Sequence, residues 1–384
     1  MITPSSHKLL SATVKAPTTT LSVNLQAVKN NWRKLDKRSA LSCRTGAVIK
    51  ANGYGMGMTE ISSALYQEGC RSFFTARIDE AYHLLAFFKD KNCDDIDIIV
   101  FDGLLEGHDP YFDHPQIIPA LNDKGQIKRA QQLATQKNQA QSCFIHIDTG
   151  MSRLGLSFAD WHSIKNDQAE LQGLDIKMLM SHLASADIQG SAQNNDQLSR
   201  FQSALKDTNL PASLANSGGI FLGNEYHFDL TRPGLSLYGL TPDGSDQNLE
   251  MALCWQADIL QIRNITKGMT VGYGASFVAD RDMRLATIGV GYADGYLRRS
   301  QANLSMRIEN VECPVIGRVS MDSCVVDISS LTDQQINNAQ KAIIIDNAAS
   351  AYALANRTDT IIYEIMTILG ERVLRHYDDG TVTI

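Results

Sequence analysis

Lys50 is the residue whose placement first suggests chemistry. It comes near the close of an otherwise apolar run, 47–51, and lysine is seldom buried without a task. Burial lowers an ammonium pKa and frees the amine to attack a carbonyl and form a Schiff base. The plain alternative is a lysine whose stem packs while its head reaches water. Other apolar runs close on polar residues in the same way. Asn122 closes one, His146 and Asp148 close another with Arg153 just beyond, and His182 closes a third. Two more end in Asn216-Ser217-Gly218-Gly219 and in Arg232-Pro233-Gly234. Both glycine-bearing turns suit an anion, because glycine lets backbone N–H groups approach a phosphate. A Gly-Gly pair is also ordinary turn chemistry.

These groups can act together only if the fold gathers the ends of the runs. Eight runs recur, at 47–51, 72–77, 97–101, 117–122, 143–148, 177–182, 212–216 and 228–232. Segments 58–69, 78–89, 125–137 and 194–206 lie between them, with apolar residues at helical spacing. The connectors after Phe101 and Asn216 are shorter and less regular. Strands alternating with helices predict an α/β fold, a parallel (β/α)8 barrel of TIM type over 18–250, with its chemistry at the strands' carboxyl ends. An open doubly wound sheet is the alternative. In such barrels the turns after strands seven and eight often hold phosphate. A lysine and a phosphate cradle in one mouth are what a pyridoxal 5'-phosphate (PLP) enzyme needs.

The rhythm changes after Glu250. Segments 257–265, 284–290, 306–312, 324–328 and 341–345 are strand-like, and 348–356 and 361–374 are helical. They predict a mainly β C-terminal domain over 251–384, with residues 1–17 as an N-terminal arm. The net charge of −7, with no basic cluster denser than Arg298-Arg299, argues against a nucleic-acid partner. No apolar run reaches membrane-spanning length, and the first residues lack the apolar core of a secretory signal. The 7 cysteines are odd in number and scattered, with no C-x-x-C, which fits reduced thiols in a cytoplasmic protein and no metal site.

Longer motifs carry a family resemblance. Ala47-Val48-Ile49-Lys50-Ala51-Asn52-Gly53-Tyr54-Gly55-Met56-Gly57 resembles the PLP-lysine signature of alanine racemases. Asp148-Thr149-Gly150-Met151-Ser152-Arg153-Leu154-Gly155, Ser181-His182-Leu183-Ala184, Ala215-Asn216-Ser217 and Arg232-Pro233-Gly234-Leu235 continue it. Val271-Gly272-Tyr273-Gly274, Gly291-Tyr292-Ala293-Asp294-Gly295 and Gly317-Arg318-Val319-Ser320-Met321-Asp322 extend it into the second domain. The motifs run in family order from about Thr18 to Arg375.

The resemblance implies a PLP-dependent isomerase that interconverts L- and D-alanine and supplies D-alanine for peptidoglycan. It also implies a head-to-tail homodimer whose sites take Tyr273 and Met321 from the second chain. Lys50 would carry the cofactor, and Tyr54, Ser217, Gly234 and Leu235 would hold its phosphate, with Asn216 supporting that loop. His182 would lie against the ring and link Arg232 to the tyrosine. Arg153 would steady the cofactor oxygen and the substrate carboxylate, and Met321 would contact substrate through its backbone. Racemisation needs proton exchange on both faces of one carbon, which gives Lys50 one face and Tyr273 the other. Cations such as Arg232, relayed through His182, would favour the phenolate. An arginine facing the ring nitrogen keeps its own proton and makes the ring a weaker electron sink.

Two positions depart from the family pattern. His146 stands where many members carry a lysine, often carbamylated, that orients the arginine matched by Arg153. Met56 replaces a frequent histidine, which opens the way to a broad-specificity or serine racemase. A PLP decarboxylase of the same superfamily would need a catalytic cysteine context that Asp322-Ser323-Cys324 does not match. A non-catalytic PLP carrier would lack the second domain and Tyr273.

Overall fold

A computed structural model describes residues 17–298 and 303–379, so all but the last residue of the expected N-terminal arm lies outside the described residues, as does Arg299. These residues divide into two compact units. One runs Asn24–Ala252, and the other joins the first strand to Leu253–Tyr377.

The chain enters on β1 (Thr19–Asn24). Asn24 then caps the helix Leu25–Arg38, its side chain accepting from the Ala27 N–H. Strands β2 (Arg44–Thr45) and β3 (Ala47–Val48) follow, then β4 (Ser72–Thr75), β5 (Asp97–Val100), β6 (Ile117–Leu121), β7 (Gln141–His146), β8 (Leu174–Met180), β9 (Ala212–Ser213) and β10 (Leu230–Thr231). From β3 to β9 the order is sequential and every pairing parallel. β10 pairs in parallel with β2, while the Arg232 N–H donates to Ala215 O at 2.9 Å and the Val48 N–H to Pro233 O at 2.8 Å. These bonds close the ring. Each expected run overlaps a strand, and the unit is a TIM-type barrel. Its strands read as unbroken apolar runs because both faces are covered, as in Ile98-Ile99-Val100, all buried. The irregular connectors become a 3-10 turn, Asp109–Asp113, and a single helical turn, Gly219–Leu222.

Several boundaries move. The first run stops being strand at Val48, and Lys50 opens a turn instead of ending the strand. β1 does not join the barrel, although the expected barrel started at residue 18. It pairs antiparallel with β11 (Leu253–Ile265), Leu21 opposite Trp255.

The second unit continues with β12 (Thr270–Val271), β13 (Phe277–Val278), β14 (Met283–Ile288), β15 (Ser305–Ile308), β16 (Val311–Ile316), β17 (Cys324–Asp327), β18 (Lys341–Ile345) and β19 (Leu374–Asp378). The sheet order β14-β17-β16-β15-β18-β11, with β11 also paired to β14, closes a second, mainly antiparallel ring. The expected strand 306–312 is really a hairpin, because Glu309 and Asn310 both take positive φ (48° and 65°) and turn the chain. The expected helix 361–374 is Ile362–Thr367, and Leu374 already starts β19. All seven cysteines are free. Among the described residues no helix is long and apolar enough to cross a membrane, and no cluster of three His, Cys, Asp or Glu could hold a metal.

Candidate functional site

At the carboxyl ends of the barrel strands an aromatic floor underlies two cations. The Phe74 and Phe101 rings stack with centroids 5.4 Å apart, and Phe144 meets Phe74 edge-on at 6.3 Å. Lys50 Nζ lies 5.9 Å from the Phe101 centroid, and the Arg232 guanidinium 6.0 Å from that of Phe74. Both are at the outer edge of cation–π range.

Lys50 is half-buried, and its amine is pushed below the ordinary lysine range, first by burial and then by the charge of Arg153. Glu80 and Asp102 oppose that shift. The chain leaves Lys50 through a left-handed turn, with φ of 52° at Ala51, 54° at Asn52, 62° at Gly53 and 58° at Tyr54. Its ties are explicit. The Met58 N–H donates to Asn52 Oδ1 at 2.9 Å, and the Tyr238 hydroxyl donates to Gly53 O at 2.6 Å. Met56, next along, is fully buried and serves as core.

Across the mouth, the backbone N–H groups of Gly234 and Ser236 converge on Ser217 Oγ at 2.9 and 3.3 Å. Asn216 Oδ1 accepts from the Gly219 N–H at 2.9 Å and holds the turn that carries Ser217. A Cβ on Gly234 would lie 2.3 Å from the Tyr54 hydroxyl, so only glycine lets that phenol reach the amides. Leu235 is fully buried behind them. The two amides, whose acceptor here is the Ser217 hydroxyl, form with that hydroxyl and the phenol a donor set suited to a phosphate ester.

Arg232 is 1% exposed, yet no carboxylate pairs with it among the described residues. It donates instead to Ser213 Oγ, to Ser181 O at 2.5 Å and to Leu214 O at 3.3 Å. Burial pushes its guanidinium down to about 9, which leaves it cationic at neutral pH. No hydrogen bond joins it to His182 among the described residues, so the expected relay is not a direct bond here. Three of the five N–H donors of Arg232 go to Ser213, Ser181 and Leu214, and its influence on His182 is Coulombic. His182 is held well below the usual histidine range by burial, then by Arg232, Arg153, Lys50 and His146.

His146 is 8% exposed, and its Nδ1 lies 2.8 Å from Asn122 Oδ1. Asn122 spends its amide group on Phe101 O (2.8 Å) and Ala120 O (3.0 Å), so its oxygen faces the histidine and Nδ1 must be the donor. Burial, with the charges of Arg232 and Arg153, lowers His146 to about 4 against the opposing pull of Asp148. It is therefore neutral, with Nε2 as an acceptor. The loop beyond it is folded by Asp148, whose Oδ1 accepts from the N–H groups of Gly150, Met151 and Ser152 at 2.9, 3.0 and 3.1 Å. That loop presents Arg153 to solvent.

Lys50, Tyr54, Arg153, His182, Asn216, Ser217, Arg232, Gly234 and Leu235 all lie in the barrel unit. Tyr273 and Met321 belong to the other unit, where their side chains are 67% and 53% exposed. Two residues of the mouth escaped sequence reasoning. Glu80 accepts from the Ala51 N–H, but in sequence it is one more acid in a helix's first turn. Gln197 is fully buried and bonds Thr149 Oγ1, His182 O and the Ala184 N–H, a role that a mid-helix glutamine does not announce.

The alanine racemase N-terminal domain matches residues 23–242, and the alanine racemase C-terminal domain matches residues 252–377. Alanine racemases of Rickettsia africae and Brucella canis are 38% identical over 362 and 372 residues. Each covers 93% of this chain, and the matches take in 98% and 93% of those proteins. The crystal structure of alanine racemase from Bartonella henselae with covalently bound pyridoxal phosphate superposes with a TM-score of 0.88 at 36% identity, covering 94% of this chain and 100% of that one. Biosynthetic alanine racemase from Pseudomonas aeruginosa gives 0.82 at 27% identity over 94% of this chain and 100% of that one.

Proposed function

The chain belongs to the alanine racemase family, and from that premise we propose that it interconverts L- and D-alanine with PLP carried on Lys50 and two bases on opposite faces of the α-carbon. One observation carries the reading. A half-buried amine of lowered pKa shares a mouth with a phosphate-type amide cradle and with a buried arginine that has no carboxylate partner among the described residues. The residues fit the cofactor: Lys50 to bind its aldehyde, Tyr54, Ser217, Gly234 and Leu235 to hold its phosphate on the turn kept by Asn216, and Arg232 and His182 beside its ring. Bound there, PLP supplies delocalisation of the charge left on the α-carbon when its proton departs.

The side chains divide the remaining work. Lys50, its pKa lowered by burial and by the charge of Arg153, takes and returns a proton on one face. The Tyr273 phenol of a second copy serves the other face, and Met321 of that copy contacts substrate through its backbone. Their exposure supports this shared arrangement in a homodimer. Arg153 binds the substrate carboxylate, and His146 offers a neutral acceptor beneath its loop. Arg232 is a donor only, so it keeps its proton and does not protonate the ring nitrogen, which favours return of the proton to carbon. The seven free thiols support action in the cytoplasm, where the product would serve peptidoglycan synthesis.

The test is loss of optical activity from L-alanine by cofactor-loaded protein in deuterated water, run beside serine, lysine and arginine. Alanine should racemise fastest and gain deuterium at the α-carbon. Inertness toward alanine with turnover of another amino acid would overturn the assignment.

A further inference from the structure

Glu80 hydrogen-bonds, among the described residues, to none of the side chains given a chemical task above, yet its carboxylate gathers three backbone N–H groups. Oε1 accepts from Ala51 at 2.6 Å, and Oε2 accepts from Ala76 at 2.8 Å and Arg77 at 3.3 Å. Ala76 and Arg77 follow β4, whereas Ala51 follows Lys50 beyond β3. One half-buried side chain on the helix Ile78–Asp90 therefore ties together the ends of two adjacent barrel strands. The turn it grips needs such a tie. Ala51, Asn52 and Tyr54 hold left-handed backbone, which is unfavourable for a residue with a Cβ. Conformations of that kind persist where the surroundings over-determine them. Asn52 and Tyr238 secure the middle of the turn, and Glu80 secures its first residue, directly beside the lysine.

We propose that Glu80 is a positioning residue for Lys50: by anchoring the Ala51 N–H to the end of the neighbouring strand, it holds the left-handed turn that aims the lysine amine into the barrel mouth. Its hydrogen bonds are charge-assisted, the stronger kind. Its negative charge also counters the burial that depresses the amine. The ordinary capping role explains only the bonds from Ala76 and Arg77. The bond to Ala51 reaches across 29 residues and has no part in starting that helix.

This inference rests on the reading of Lys50 as the cofactor-bearing base. The experiment compares Glu80→Ala, Glu80→Gln and parent holoenzyme by kcat and KM for L-alanine and by amide hydrogen exchange. Glu80→Ala should lower kcat about tenfold or more, as expected for loss of a charged hydrogen bond, and change KM less than about threefold. Amides 51–57 should exchange faster while the other barrel strands keep their protection. Glu80→Gln keeps an oxygen for the Ala51 N–H and should recover most of kcat. The proposal is overturned by an alanine variant with kcat within about twofold of parent, by protection lost across the whole barrel, or by a glutamine variant as slow as alanine. A Lys50→Ala control separates the two readings. Turnover without that amine would remove Lys50 from its role, whereas the exchange result at 51–57 would stand on its own.

Discussion

Replacing His146 with glutamine asks whether the barrel is built around a histidine that stays neutral. Burial and the charges of Arg232 and Arg153 lower the imidazole from 6.5 to about 4. A folded-state pKa below the unfolded one means that, as pH falls, the unfolded chain takes up the proton first. The stability at issue is thus complete above about pH 6.5, declines through the interval, and is fully lost below about pH 4. At about 1.36 kcal/mol per pH unit the interval is worth about 3 kcal/mol, of which about 2 kcal/mol has gone by pH 5. Glutamine has no titrating group, and its amide can still donate to Asn122 Oδ1.

The assay is urea unfolding at several pH values from about 7.5 to 5, with cofactor concentration held fixed. Trp32 and Trp161 are both buried in the barrel unit and report on it in a Trp255→Phe background. Over that range the parent should lose about 2 kcal/mol more than His146→Gln. His182 also sits low but is present in both chains, so its contribution cancels in the difference. Parallel curves for the two proteins would refute the reasoning, since they would mean His146 binds its proton as easily folded as unfolded.

Two other outcomes follow from the same geometry. Gly234→Ala places a methyl 2.3 Å from the Tyr54 hydroxyl and must displace it, so PLP affinity measured by absorbance titration should fall about ten- to a hundredfold; an affinity within about threefold would show that the cradle has room to spare. Tyr273→Phe should slow proton exchange in one direction far more than the other, and mixing it with Lys50→Ala chains should restore some racemase activity in heterodimers. Absence of complementation would mean that each chain completes its own site.

The barrel was readable from the sequence because parallel strands covered on both faces leave continuous apolar runs, and because helix starts carry caps such as Asp123, whose side chain accepts from the Gln126 N–H. Its polar strand ends were readable too, since the fold sends them all to one mouth. What escaped depends on partners far away in the chain. β1 alternates buried and partly exposed residues, a pattern that says strand but not which sheet, and its partner Trp255 lies more than two hundred residues on. Glu309-Asn310 turns a hairpin without the glycine that normally signals one. The left-handed path after Lys50 could not be foreseen from alanine and tyrosine, which avoid it in isolation. It exists because Glu80, Asn52 and Tyr238 hold it, and those ties are tertiary.

The electrostatics of the mouth have one further consequence. The chain carries a net charge of −7, yet its barrel mouth presents Lys50, Arg153 and Arg232, with Arg232 satisfied by a serine hydroxyl and two backbone carbonyls in place of a carboxylate. An acid at that point would pair with Arg232 and cancel the field offered to an anion. The two histidines beside it are held neutral, one near 4 and one well below the usual range. Were either to gain a proton near neutral pH, the added charge would press the Lys50 amine further down and compete with Arg153 for the same anion. Because the histidines titrate below the working range and Arg232, at about 9, titrates above it, the charge these three groups bring to the mouth stays constant across neutral pH. Lys50, lowered by burial and by Arg153, is then the barrel-side amine left to serve as a base on one face of a carbon.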